Sequence, residues 1–113
     1  MLAKQFRLNL KKNFKWVATG KKLETKFLKL FVRVGDNQVA KVGIATSSKD
    51  LKKAHLRNRA RRMASAAFES IYLSLPENIN IVALPKTGIL EVKSSDVLLD
   101  LGEGLKKEGI LRT

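Results

Sequence analysis

Leu51-Lys52-Lys53-Ala54-His55-Leu56-Arg57-Asn58-Arg59-Ala60-Arg61-Arg62-Met63-Ala64-Ser65-Ala66-Ala67-Phe68-Glu69-Ser70-Ile71-Tyr72-Leu73-Ser74-Leu75 contains both the frame of the fold and its densest charge. Leu56, Ala60, Met63, Ala64, Ala67 and Ile71 step by three or four, the spacing that lines up one face of an α-helix. At about 100° per residue, Asn58, Arg61, Arg62 and Ser65 fall together, well away from that stripe. Arg57 lies at its edge and Arg59 on the far flank. The pattern predicts one long helix from near Leu51 to Leu75, stopped by Pro76-Glu77-Asn78.

On the N-terminal side, Leu10, Phe14, Val17 and Ala18 recur at helical spacing with Lys11, Lys12 and Lys15 between them, and Gly20 follows as a stop. Residues 26–34 alternate: Leu28, Leu30, Val32 and Val34 on one face, Phe27, Lys29, Phe31 and Arg33 on the other. Gly35-Asp36-Asn37 signals a turn, and a second strand is expected from about Val39 to Ser47, forming an antiparallel pair with the first. On the C-terminal side, Ile79 to Leu84 reads as a buried strand and Pro85-Lys86-Thr87-Gly88 as a loop. A last helix follows, capped by Ser94 or Ser95, with Val97, Leu98, Leu101 and Leu105 inward. The order is helix, two or three strands, helix, strand, helix, an α+β sandwich in a single domain over 1–113.

Charge points to the partner. The chain carries a formal +13, and residues 1–62 hold 18 basic against 3 acidic side chains, net +15, whereas residues 63–113 are net −2. A lopsided field of this size attracts a polyanion. Four Arg within residues 57–62 give planar donors suited to phosphate, and Asn58 among them can both donate and accept at a base edge or sugar hydroxyl. The alternative is a solvated helix face. On the first strand, Phe27 and Phe31 alternate with Lys29 and Arg33, offering stacking surfaces beside phosphate partners, with small Gly43, Ala45 and Ser47 opposite. The competing reading is ordinary core beneath a helix.

Other classes find little support. There is no cysteine, so neither disulfides nor thiolate metal sites are available. The start lacks a secretory pattern and no apolar run suits a membrane span, so a cytoplasmic protein without a membrane partner is expected. His55 is the sole histidine, and the ten carboxylates show no metal or acid–base spacing; Asp96 and Asp100 are one turn apart, as many solvated acids are. Ser47, Ser48 and Lys49 lack a helical S-x-x-K frame, and no glycine-rich phosphate loop occurs.

Ser48-Lys49-Asp50-Leu51-Lys52-Lys53-Ala54 running into Arg57-Asn58-Arg59 and Arg61-Arg62 resembles the bacterial ribonuclease P protein subunit. Phe14 and Val17 before Gly20, Val42-Gly43-Ile44, Phe68 and Ile81-Val82 extend the resemblance over nearly the whole chain. Asp50, Lys52, Ser65 and Ala18 depart from the family's usual lysine, glycine, arginine and phenylalanine. The resemblance implies a ribosomal-protein-S5-domain-2-like fold, α-β-β-β-α-β-α, with a left-handed βαβ crossover. It implies a protein cofactor of an RNA catalyst that removes the 5′ leader of precursor tRNA, 1:1 with its RNA. Mg²⁺ would be bound mainly through RNA; a protein metal ligand is not assignable. Lys49, Lys53, Arg57, Asn58, Arg59, Arg61 and Arg62 would contact the catalytic RNA subunit. Phe14, Lys15, Phe27, Lys29, Phe31 and Arg33 would line the cleft for the leader. The alternatives are a ribosomal or other structural RNA-binding protein and, less in keeping with the scattered acids, a protein-only nuclease.

Overall fold

The computed structural model describes residues 2–111; Met1, Arg112 and Thr113, the ends of the expected 1–113 domain, lie outside the described residues. Helices α1 (Leu10–Ala18), α2 (Ala54–Ile71) and α3 (Ser94–Lys107) and strands β1 (Lys21–Glu24), β2 (Leu28–Val34), β3 (Lys41–Ile44) and β4 (Ile79–Pro85) follow the expected order, α1-β1-β2-β3-α2-β4-α3. β1 is the strand with the faintest signal, a single buried Leu23 among charged neighbours, paired with Leu30 of β2.

The expected pairing of the second and third strands does not form. The sheet order is β1-β2-β4-β3, with β4 antiparallel to β2 and parallel to β3. The reason lies in β4, six of whose seven residues are buried. A strand apolar on both faces belongs inside a sheet, and α2 supplies the long crossover that a parallel β3–β4 pair requires. β3 is also shorter than its expected span, although Ala45 N–H still donates to Ala83 O at 2.9 Å.

α2 and α3 cover one face of the sheet. Leu28, Leu30, Val32, Ile81 and Ala83 meet Ala60, Ala64, Ala67 and Phe68 of α2 and Val97, Leu101 and Leu105 of α3 in one apolar core. Alanines on α2 keep it close to the sheet, and the enclosed Phe68 ring contributes about 1.5–3 kcal/mol by burial. α2 is shorter than its periodicity predicts and ends in a 3₁₀ turn at Tyr72–Ser74. Ser65 is buried rather than grouped with the exposed polar side chains, because the N-terminal segment encloses it: Leu2, Leu8 and Leu10 border the same small hollow. That segment runs along the outer rim of β3, where Leu8 N–H donates to Val42 O at 3.0 Å.

α1 covers the opposite face. Leu8, Val17 and Val82 form a second core, flanked by Leu10, Phe14, Phe31 and Leu84. Gly43 permits this close crossing, since a Cβ there would lie 2.6 Å from Leu10 Cδ2. It is therefore beneath the N-terminus of α1, not open to a nucleic-acid strand.

α3 begins one residue earlier than a serine cap requires. Lys93 is the N-cap, and its N–H donates to the Asp96 carboxylate at 2.9 Å. Asp100 then accepts from the N–H groups of Lys26 and Phe27, both at 3.0 Å, fastening α3 to the β1–β2 turn. The two acids that read as solvated each hold backbone donors in place.

Candidate nucleic-acid interface

The first turns of α2 carry an uncompensated positive field. No acid lies in its first turn and no side chain caps it, so the partial positive charge of the helix end adds to Lys49, Lys53 and the arginines. Lys49, Lys53, Asn58, Arg59 and Arg62 are exposed. Among the described residues no carboxylate is within ion-pair distance of Arg57, Arg59, Arg61 or Arg62; the ion pairs present join Lys21 to Glu108 and Lys29 to Glu24.

The arginines differ in what holds them. Arg57 Nη1 donates to the carbonyls of Leu51 and Lys52, at 2.8 and 2.9 Å, bracing the loop that enters the helix. Arg61 donates to Asn58 Oδ1 at 3.1 Å and to the Thr46 hydroxyl at 3.0 Å, which links α2 to the segment after β3. Arg59 and Arg62 make no side-chain bond to the described protein. Two guanidiniums are thus pre-oriented and two are free to reach outward. Arg7, which sequence reasoning did not single out, borders the same hollow as Arg61 and Ser65.

The second candidate surface lies beside α1. Phe14 and Phe31 flank one partly covered apolar floor with Leu84, and Lys29 sits opposite Leu84 in the β2–β4 register. Lys15 is exposed on α1 next to Phe14. A hollow of about 310 Å³ continues past Lys29 and Leu84 to Lys86, with Glu24 and Asp50 on its wall. Phe14, Phe31 and Lys29 therefore do come together.

Phe27 and Arg33 do not join them. Phe27 lies in the turn before β2, where Asp100 takes its N–H, so the two-residue alternation has not yet begun. Its ring packs against the α2–α3 core. Arg33 reaches across to α1, donating to Trp16 O at 3.1 Å and to the Thr19 hydroxyl, with its guanidinium 4.5 Å from the Trp16 ring centroid. It satisfies the carboxyl end of that helix.

Among the described residues no three His, Cys, Asp or Glu side chains converge to hold a metal ion, and no helix is long and apolar enough to cross a membrane. Tyr72 donates its hydroxyl to Ala40 O at 2.6 Å, and burial raises its pKa above 10.0.

Comparison with known proteins completes the assignment. A family model described as Ribonuclease P matches residues 2–109. The ribonuclease P protein component of Pseudoalteromonas atlantica is 36% identical over 80 residues, which span 71% of this chain and 66% of that relative. The RNase P protein from Thermotoga maritima superposes with a TM-score of 0.79 at 25% identity, covering 89% of this chain and 96% of the other. The Staphylococcus aureus RNase P protein shares the fold, with a TM-score of 0.79 at 17% identity over 95% and 98% of the two chains. With its unpaired guanidinium row, its aromatic cleft and a family match from residue 2 to residue 109, the chain belongs to the ribonuclease P protein family.

Proposed function

We propose that this chain is the protein subunit of ribonuclease P, a cytoplasmic protein that binds one catalytic RNA subunit and the 5′ leader of precursor tRNA. The observation that carries the reading is the row of guanidiniums on α2 with no carboxylate partner among the described residues. Mutual repulsion of these charges is relieved when phosphate replaces the missing anions. Lys49, Lys53, Arg57, Asn58, Arg59, Arg61 and Arg62 dock the RNA subunit, Arg57 and Arg61 as fixed forks and Arg59 and Arg62 as free ones. Phe14 and Phe31 stack unpaired leader bases, and Lys15 and Lys29 meet the leader phosphates.

Bond cleavage belongs to the RNA, and Mg²⁺ is held mainly by RNA phosphates. The protein's cations lower the repulsion between those phosphates, which helps the RNA hold its hydrated metal ions. The test is reconstitution with bacterial ribonuclease P RNAs at limiting magnesium. The expected result is faster leader cleavage with the protein than without it; no gain across several compatible RNAs overturns the assignment.

A further inference from the structure

The flank of α1 that turns away from Phe14 has its own chemistry. Asn9, Asn13 and Trp16 are spaced four and three apart and lie in line along the helix. With Arg7 and Lys41 they border a hollow of about 470 Å³ between α1 and the ends of β3 and β4. Its floor is rigid: buried Asn80 donates to Asn37 Oδ1 at 2.9 Å and to Arg33 O at 3.2 Å. Trp16, the only tryptophan of the chain, is 37% exposed, and Arg33 steadies its ring.

The remaining polar capacity points outward. Asn9 uses its side-chain oxygen to cap α1 at Lys12 N–H, which leaves its amide protons available. Asn13 makes no side-chain hydrogen bond within the described protein. Arg7 spends only its Nε on Leu2 O, and Lys41 Nζ donates one of its three protons to Gln5 O. Two cations face a single acid, Asp36, at this hollow. A steadied indole, an idle amide and two cations together match one kind of ligand: an aromatic base joined to an anion. An acidic peptide would also meet the cations, but only an aromatic side chain would give it a ring to lay on the indole, whereas every nucleotide carries one beside its phosphate.

We propose that this groove binds an unpaired ribonucleotide, its base against Trp16 and the Asn13 amide and its phosphate between Arg7 and Lys41. It is a third contact beyond α2 and the Phe14–Phe31 cleft, and it depends on the preceding assignment only for the source of the RNA. Because Arg7 also borders the hollow beside Arg61, the groove continues the α2 surface around the rim of β3.

The single tryptophan makes the test direct. Titrating the full-length protein with a uridylate hexamer is expected to quench Trp16 emission saturably. Asn13→Ala, which keeps the fluorophore, should weaken that quenching transition about fivefold or more, and Trp16→Ala should weaken hexamer binding by roughly 5- to 150-fold, measured by anisotropy of labelled hexamer. Circular dichroism identifies any variant that has lost its fold, and Asn13→Ala and Lys41→Ala then carry the comparison. Adding RNA subunit, leader-bearing precursor and mature tRNA separately shows which RNA supplies the nucleotide; quenching by any of them supports the site. Absence of quenching with the hexamer and with all three, while leader cleavage is still stimulated, overturns this proposal and leaves the ribonuclease P assignment standing. Quenching without stimulated cleavage has the opposite meaning.

Discussion

Arg59 and Arg62 are the cleanest handles on RNA docking, because neither guanidinium has a bond within the described protein to lose. Replacing both with alanine removes two phosphate contacts, and each contributes about 0.7–0.9 to the log–log salt slope. The slope for RNA-subunit binding should therefore become shallower by about 1.6. Counterion release then makes binding roughly 40-fold weaker at about 0.1 M monovalent salt but only about 7-fold weaker at about 0.3 M. Folding stability should move by no more than about 0.5 kcal/mol, since both side chains are exposed and unbonded. Anisotropy of end-labelled RNA subunit, titrated across this salt range at fixed magnesium, measures the slope; thermal melting followed by circular dichroism measures the fold. An unchanged slope would refute the docking role, and so would an affinity loss that is the same at every salt concentration, which signals altered shape rather than lost phosphate contacts.

Four other substitutions test the remaining parts. Arg57→Ala should cost about 1–2 kcal/mol of folding stability in denaturant titrations, as well as RNA affinity, because it also releases the Leu51 and Lys52 carbonyls. Asp100→Ala strands the Lys26 and Phe27 N–H groups; a loss of about 2 kcal/mol, roughly 8–10 °C in melting temperature, is expected, and an unchanged melt would show that the α3 tether is dispensable. Phe31→Ala should lower the preference for leader-bearing precursor over mature tRNA about tenfold in competition binding, with RNA-subunit assembly retained. Tyr72 is stabilising as the neutral phenol that donates to Ala40 O, and its folded pKa lies above the unfolded value of 10.0. That contribution is present below about pH 10 and lost as pH rises through the folded pKa, so Tyr72→Phe should flatten the alkaline fall in stability.

The parts of this structure that local periodicity controls could be read from the chain alone. The stripe on α2, the alternation of β2, the doubly apolar β4 and the inward positions of α3 each follow from side-chain spacing within one element. What escaped the sequence depends on contacts between distant segments. The β2–β3 pairing was mistaken because nearness in sequence favours a hairpin, whereas the insertion of β4 is decided by burial on both of its faces. Ser65 looked exposed because nothing in α2 announces that residues 2–10 will cover it. Phe27 would share a face with Phe31 only if regular strand geometry started at residue 26, and the Asp100 tether prevents that; Arg33 keeps the Phe31 face, but its guanidinium is spent on the carboxyl end of α1, a contact with a distant segment. The α2 basic cluster was legible for the opposite reason: its residues are consecutive, so no long-range contact was needed to assemble it.

The two rims of the sheet carry a consequence for the protein before it meets RNA. An open strand edge is a template for another chain. Here the β3 rim is occupied by the segment that bonds Leu8 to Val42, and the β1 rim is short, with exposed Lys21 and Lys22 along it. Each copy also carries a formal +13, so neighbouring copies repel one another. Backbone and charge together thus work against edge-to-edge pairing of copies, and the same charge that makes copies repel is what an RNA polyanion cancels on assembly.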